Sequence, residues 1–155
     1  KATIDATDRK ILSLLIRNAR MPFLEIAREC GISGAAIHQR VKKMEESGVI
    51  RGFRLEVDPT ALGYNVSAMI GIRINDPSMN FEIVDGLRRI PEVVECHFVT
   101  GKYNIWTRVY CVDHEHLMHT ILDHILRVPG VSETETFISL SDSFGRQVSV
   151  RDLDQ

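Results

Sequence analysis

The chain has 155 residues, of which 44% are hydrophobic and 26% charged, the composition of an ordinary globular protein with room for one domain or two small ones. No run approaches the roughly 20 apolar residues of a membrane span, and the N-terminus lacks the charged-then-apolar layout of a signal peptide. A cytoplasmic protein with no membrane partner is therefore expected. The net charge of -2 conceals an asymmetry: residues 1–63 carry 11 Lys and Arg against 8 Asp and Glu, whereas residues 64–155 carry 8 against 13. The positive excess lies in the first part, which is where a nucleic-acid contact would be sought. Three cysteines, Cys30, Cys96 and Cys111, are too few and too far apart for a disulfide framework or a Cys-x-x-Cys knuckle, and buried free thiols are expected.

In chain order, "IDATDRKILSLLIRNAR" predicts a first helix. Asp5 and Asp8 form its start, and Leu12, Leu15, Ile16 and Ala19 recur at helical spacing. "MPFLEIAREC" predicts a second helix, with Pro22 in its first turn, Phe23, Ile26, Ala27 and Cys30 on one face, and Gly31 at its end. The third begins two residues later in "GISGAAIHQRVKKMEESGVI". Ser33 caps it, Ile37, Val41 and Met44 form its apolar stripe, and Ser47-Gly48 closes it. Two helices joined by so short a glycine-containing turn form a helix-turn-helix unit. Beyond it, Phe53, Leu55 and Val57 alternate with Arg54 and Glu56, which predicts a wing or linker strand. "PTALG", ending at Gly63, marks the domain boundary, giving domains 1–63 and 64–155.

The second domain has a different rhythm. "YNVSAMIGIRIN" alternates as a strand, and "SMNFEIVDGLRRI" carries Phe81, Val84 and Leu87 at helical spacing. "VVECHFVT" and "YNIWTRVYCV" flank Gly101-Lys102 as a hairpin. "DHEHLMHTILDHILRV" is a helix with Leu117, Ile121 and Ile125 inside, and "VSETETFISL" is a last strand. The order β-α-β-β-α-β is the ferredoxin-like split unit, so the chain is α+β: a winged helix-turn-helix followed by a ferredoxin-like domain. Two helices cover one face of such a sheet, and the other face is expected to be a dimer surface. Ala68, Ile70, Val94, Cys96, Ile105 and Thr107 are to be divided between the two.

The stretches "IDATDRKILSLLIRNAR", "LEIARECGIS", "IHQRVKKMEESGVIRGF", "VDPTALGY" and "TGKYNIW" resemble, in order and spacing, the Lrp/AsnC (feast/famine) family of transcription regulators. The resemblance spans nearly the whole chain. It implies a sequence-specific regulator of double-stranded DNA that is not an enzyme. It further implies a homodimer assembling to an octamer, with a small amino-acid-like effector between dimers and no other cofactor.

The third helix suits that role. Gln39 offers the paired donor and acceptor that match adenine, Ala35 or Ala36 suits a thymine methyl, and His38 can donate to a base or phosphate. Ser33 stands at the entry of the same surface. Lys42, Lys43, Arg51 and Arg54 suit phosphates, while Arg40 is divided between a backbone contact and an ion pair within the domain. Glu45 and Glu46 would repel DNA and should lie beyond the contact zone. For the effector, the resemblance implies the turn Gly101-Lys102-Tyr103-Asn104, with Gly101, Tyr103 and Asn104 as ligand residues and Thr134 and Thr136 on the last strand beside them. Asn104 departs from the family's aspartate, replacing a carboxylate by a neutral amide.

Three other readings compete. His114, His116 and His119 with Asp123 suggest a metal-responsive regulator. A tetrapyrrole enzyme like the siroheme decarboxylases shares the family's architecture. A stand-alone amino-acid sensor would use its helical domain only for assembly.

Overall fold

A computed structural model describes residues 3–151 and divides into two compact units, one holding the chain up to Glu56 with Phe144 onward, the other Val57–Ser143.

In the first unit, α1 (Ala6–Arg17) opens with a reciprocal capping box. The Asp5 side chain accepts from the Asp8 amide at 2.8 Å, and the Asp8 side chain accepts from the Asp5 amide at 3.1 Å. Its buried stripe is Ile11, Leu14 and Leu15. Leu15 alone of the four predicted residues is fully inside: Leu12 is half-buried, Ile16 is exposed, and Ala19 lies beyond the helix end at Arg17. Pro22 stands just outside α2 (Phe23–Cys30) as its N-cap, and Gly31, at φ 67°, supplies the left-handed turn that ends it. Ser33 caps α3 (Gly34–Glu46) by accepting from the Ala36 amide at 3.1 Å. Ile37, Val41 and Met44 face a core shared with Ile11, Leu14, Leu15, Ile26 and Ala27.

The predicted wing strand carries no ladder: residues 51–57 run as coil, with Leu55 86% exposed. Alternation provides two faces, but a strand also needs a neighbour for its N–H and C=O groups, and none of the described residues pairs with this segment.

The second unit contains β1 (Val66–Ile74), α4 (Asn80–Arg88), β2 (Val93–Phe98), β3 (Ile105–Cys111), α5 (His114–His119) and β4 (Val131–Ile138). The four strands form an antiparallel sheet in the order β2-β3-β1-β4, the arrangement expected of the split unit. Beyond α5 the helical path widens into a π turn over Thr120–His124 and tightens into a 3₁₀ turn over Ile125–Arg127. Buried Thr120 sits at the change and donates to the His116 carbonyl at 2.8 Å, a back-bond of the kind that accompanies helix irregularity. Leu117 and Ile125 are buried and Ile121 partly so. In α4 the inward pair is Ile83 and Leu87; Phe81, expected inside, lies across the helix from them and is 85% exposed.

Register divides the faces. Ala68, Ile70 and Ile72 of β1 align with Val109, Thr107 and Ile105 of β3, and all six are buried in the core. Thr107 meets its hydrogen-bonding need by donating to the Ile70 carbonyl at 3.0 Å. Met69, Gly71, Trp106, Arg108, Glu135 and Phe137 occupy the opposite face. Cys96 aligns with Thr107 but lies exposed on edge strand β2, and Val94 is exposed at the irregularity between Val93 and Glu95. The expectation of three buried thiols therefore holds only for Cys111; Cys30 is intermediate.

Candidate nucleic-acid interface and effector turn

Burial of Ile37, Val41 and Met44 turns the opposite side of α3 outward. Ala35, His38, Gln39, Lys42 and Lys43 are exposed there, and Ala36 is partly covered. Ser33 is exposed, with its hydroxyl used by the cap. Lys42 lies 3.8 Å from Glu46, both well exposed, a pairing too weak to withhold the lysine from another anion. Glu46 thus stands on the outer side, closer to the basic residues than the sequence suggested. Arg51 and Arg54 are exposed on the coil that follows.

The two flanks of α3 are tied to different helices. On one, the Arg40 guanidinium donates to Asp5 at 2.7 Å and to Asp8 at 3.0 Å. The Arg40 bond holds the Asp5 carboxyl below its ordinary range, and these carboxylates push Arg40 further up. Arg40 is thereby engaged in the intradomain ion pair, joining the α1 capping box to the third helix. On the other flank, the His38 ring meets Phe23 of α2 edge to face, with centroids 4.5 Å apart and planes at 66°. Helical spacing marked Phe23 as a core residue; its hold on His38 spans 15 positions and leaves no local signal.

Between β2 and β3, Gly101 adopts φ 111°, where a side chain would be strained. Tyr103 lies over Gly71, and its hydroxyl donates to Glu135 of β4. Lys102 Nζ is 3.3 Å from the same carboxylate. The Tyr103 hydrogen bond, aided by Lys102, holds the Glu135 carboxyl below its usual range, and the carboxylate raises the Tyr103 hydroxyl above its own. Asn104 has a structural role here: its Oδ1 accepts from the Ile74 amide at 3.1 Å, where the β1–β4 register shifts. An amide oxygen does this as well as a carboxylate oxygen. Thr134 and Thr136 align with Ile72 and Ile70, which places them on the helix side of the sheet, whereas Tyr103 and Glu135 share the open side. Tyr103 thus lies across the sheet from Thr134 and Thr136 within one chain. Glu135 was missed because its partners are 32 and 33 residues away.

Because the folded-state pKa of Glu135 is depressed, its contribution to stability is present above the unfolded value of about 4.3. It is lost as pH falls through the folded value. Glu135→Gln should therefore lose less melting temperature than the parent between pH 6 and pH 3. Parallel thermal-melting profiles over that range would refute the assignment.

Residues 4–51 match the winged helix-turn-helix DNA-binding model, and residues 67–148 match the Lrp/AsnC ligand binding domain. The chain belongs to the Lrp/AsnC family. It is 36% identical over 145 residues to Regulatory protein AsnC of Escherichia coli, covering 94% of this chain and 95% of that one. It is 34% identical over 140 residues to the HTH-type transcriptional regulator FL11 of Pyrococcus horikoshii, covering 90% and 91%. The solved structure of E. coli AsnC superposes with a TM-score of 0.88 at 35% identity, over 96% of this chain and 99% of that one. A feast or famine regulatory protein from M. tuberculosis, complexed with L-methionine, also gives 0.88, at 28% identity, over 95% and 99%. An Lrp/AsnC protein of this kind is a DNA-binding transcription regulator, and these relatives are named as regulators.

In this Lrp/AsnC chain the histidine-rich helix is committed elsewhere. His116 Nδ1 accepts from the Val112 amide at 3.1 Å, and its Nε2 lies 2.9 Å from Glu92. Both ring nitrogens of His116 thus have hydrogen-bond partners within the chain. His119 pairs with Asp123 at 2.7 Å, and His114 is exposed. Among the described residues no three His, Cys, Asp or Glu side chains gather in a group that could hold a metal ion. No helix among the described residues is long and apolar enough to cross a membrane.

Proposed function

We propose that α3 reads its operator through Gln39 and His38 at base edges, with Ala35 and Ala36 allowing close approach and Lys42, Lys43, Arg51 and Arg54 on phosphates. The observation carrying this reading is the outward side of α3, where amide, imidazole, small and cationic side chains stand together exposed. Major-groove readout needs such short or hydrogen-bonding groups centrally, with cations around them. Arg40 serves as the tie that orients the helix.

Binding should be measured by fluorescence anisotropy on duplexes selected from a random pool, over a range of salt. Gln39→Ala is expected to change the preferred sequence. Lys42→Ala is expected to weaken all duplexes alike and to lower the salt slope by about one. Equal slopes for the two variants, with unchanged preference, would refute these roles.

The second unit binds an amino-acid effector in a homo-oligomer, a dimer assembling to an octamer. The family's ligand-binding domain and the methionine complex of the M. tuberculosis relative support this reading. The separation of Thr134 and Thr136 from Tyr103 across the sheet accords with a pocket completed by a second copy. The open side presents Trp106 and Phe137, 5.4 Å apart, as an apolar surface for a partner sheet. Calorimetry with L-methionine and the other common amino acids, with light scattering alongside, is expected to yield heat and a defined oligomer mass. An absence of heat, with a monomer throughout, would overturn it.

A further inference from the structure

We propose that Phe23 is a positioning residue for DNA sequence preference, acting through His38 without touching a base. The inference rests on the proposed role of His38 in readout. Helix geometry places His38 on the margin of the outward side of α3, where its orientation is not set by burial: it is exposed, unlike Ile37 beside it. An exposed imidazole ordinarily samples several rotamers, and ordering one on binding costs affinity. Here the ring stands edge to face against Phe23 at 4.5 Å and 66°, an arrangement worth more than the area it buries.

Phe23 is itself fixed. It is the first residue of α2, half-buried against the helix-turn-helix core, and follows Pro22, whose φ is -60°. The two helices are in van der Waals contact here, a Cβ placed on Gly34 lying 3.4 Å from Leu24 Cδ2. The Phe23 ring therefore narrows the directions in which His38 can present a ring nitrogen. Across α3, the Arg40 pairs with Asp5 and Asp8 hold the other flank. The imidazole is thus preorganised by a residue on another helix, and discrimination at one base position should depend on that residue.

The test uses the full chain and selection from random duplexes, followed by affinity measurements on single-base variants of the selected site. Phe23→Leu keeps an apolar side chain on the core, Phe23→Tyr keeps the ring, and His38→Ala removes the reader. The expected result is that Phe23→Leu flattens preference at the same base positions as His38→Ala, by about three- to tenfold, while Phe23→Tyr retains it. Phe23→Leu/His38→Ala should then be no less selective than His38→Ala alone, and the salt slope should be unchanged in the Phe23 variants.

A uniform loss of affinity at every position in Phe23→Leu would show a structural role only and overturn the proposal. So would additive losses in the double variant. An unchanged profile in His38→Ala would instead remove His38 from readout, while Gln39→Ala, measured beside it, would still report whether α3 reads the site.

Discussion

Ile37→Ala should strip the helix-turn-helix unit of most of its stability and sharply weaken DNA binding while the sheet unit stays folded. Ile37 is fully buried where α3 meets the side chains of α1 and α2. Truncating such a side chain removes about 2–5 kcal/mol through lost transfer energy and the cavity left behind. A unit of this size has only about 3–8 kcal/mol to lose, because small cores bury a small share of their surface. One substitution therefore consumes most of it.

The molecule carries a means of separating the two units, because its single tryptophan, Trp106, lies on β3. The expected result is an early loss of helical circular dichroism, with the Trp106 fluorescence transition in place and DNA binding reduced by at least a hundredfold. A single transition that shifts equally by both probes would show that the units fold as one, contrary to this expectation.

Gly71→Val should damage the effector turn more than any substitution of an exposed ligand candidate. A Cβ at residue 71 would stand 2.6 Å from Tyr103 Cγ and Cδ2 and 2.9 Å from Cε2. The β1 backbone cannot withdraw, since Gly71 is paired with Trp106 on one side and Glu135 on the other. Nor can the Tyr103 ring move without giving up its bond to Glu135. Overpacking of this kind costs about 1–3 kcal/mol.

A drop in melting temperature of roughly 4–24 °C is expected for a unit of this length. A changed Trp106 emission should accompany it, since the Tyr103 and Trp106 rings are 6.4 Å apart, together with at least a tenfold loss of amino-acid binding. Nonspecific DNA affinity at low salt should be retained. A variant with the parent's stability and emission would show that Tyr103 is free to leave Gly71 at no cost.

The elements whose cues lie within a few residues were legible from the chain alone. Asp5 with Asp8, Gly31 and Ser33 announce helix ends, and Ile37, Val41 and Met44 announce the inward side of α3. Errors arose where neighbours outside the window decide. Helical spacing points to Leu12, Leu15, Ile16 and Ala19 as the α1 stripe, whereas packing buries Ile11, Leu14 and Leu15. The alternation of Phe53, Leu55 and Val57 predicted a strand that the described residues supply no partner for. The exposed side of α3 is legible because a helix that buries one side necessarily exposes the other. The effector candidates were divided between sheet faces because strand register, which a single strand does not contain, assigns each residue its side.

Residue order thus sufficed for the helix-turn-helix, the βαββαβ order and the charge difference between the two parts, since periodicities of 3.6 and 2 and the capping rules act between near neighbours. Only the folded chain determined what each polar group is bound to. Arg40 holds Asp5 and Asp8 across 35 and 32 positions, Glu135 holds Tyr103 across 32, and Asn104 serves the Ile74 amide across 30. The physical reason is that a hydrogen bond or ion pair depends on a few tenths of an ångström and a direction. Those are set by how whole elements pack, and no short window of sequence carries them.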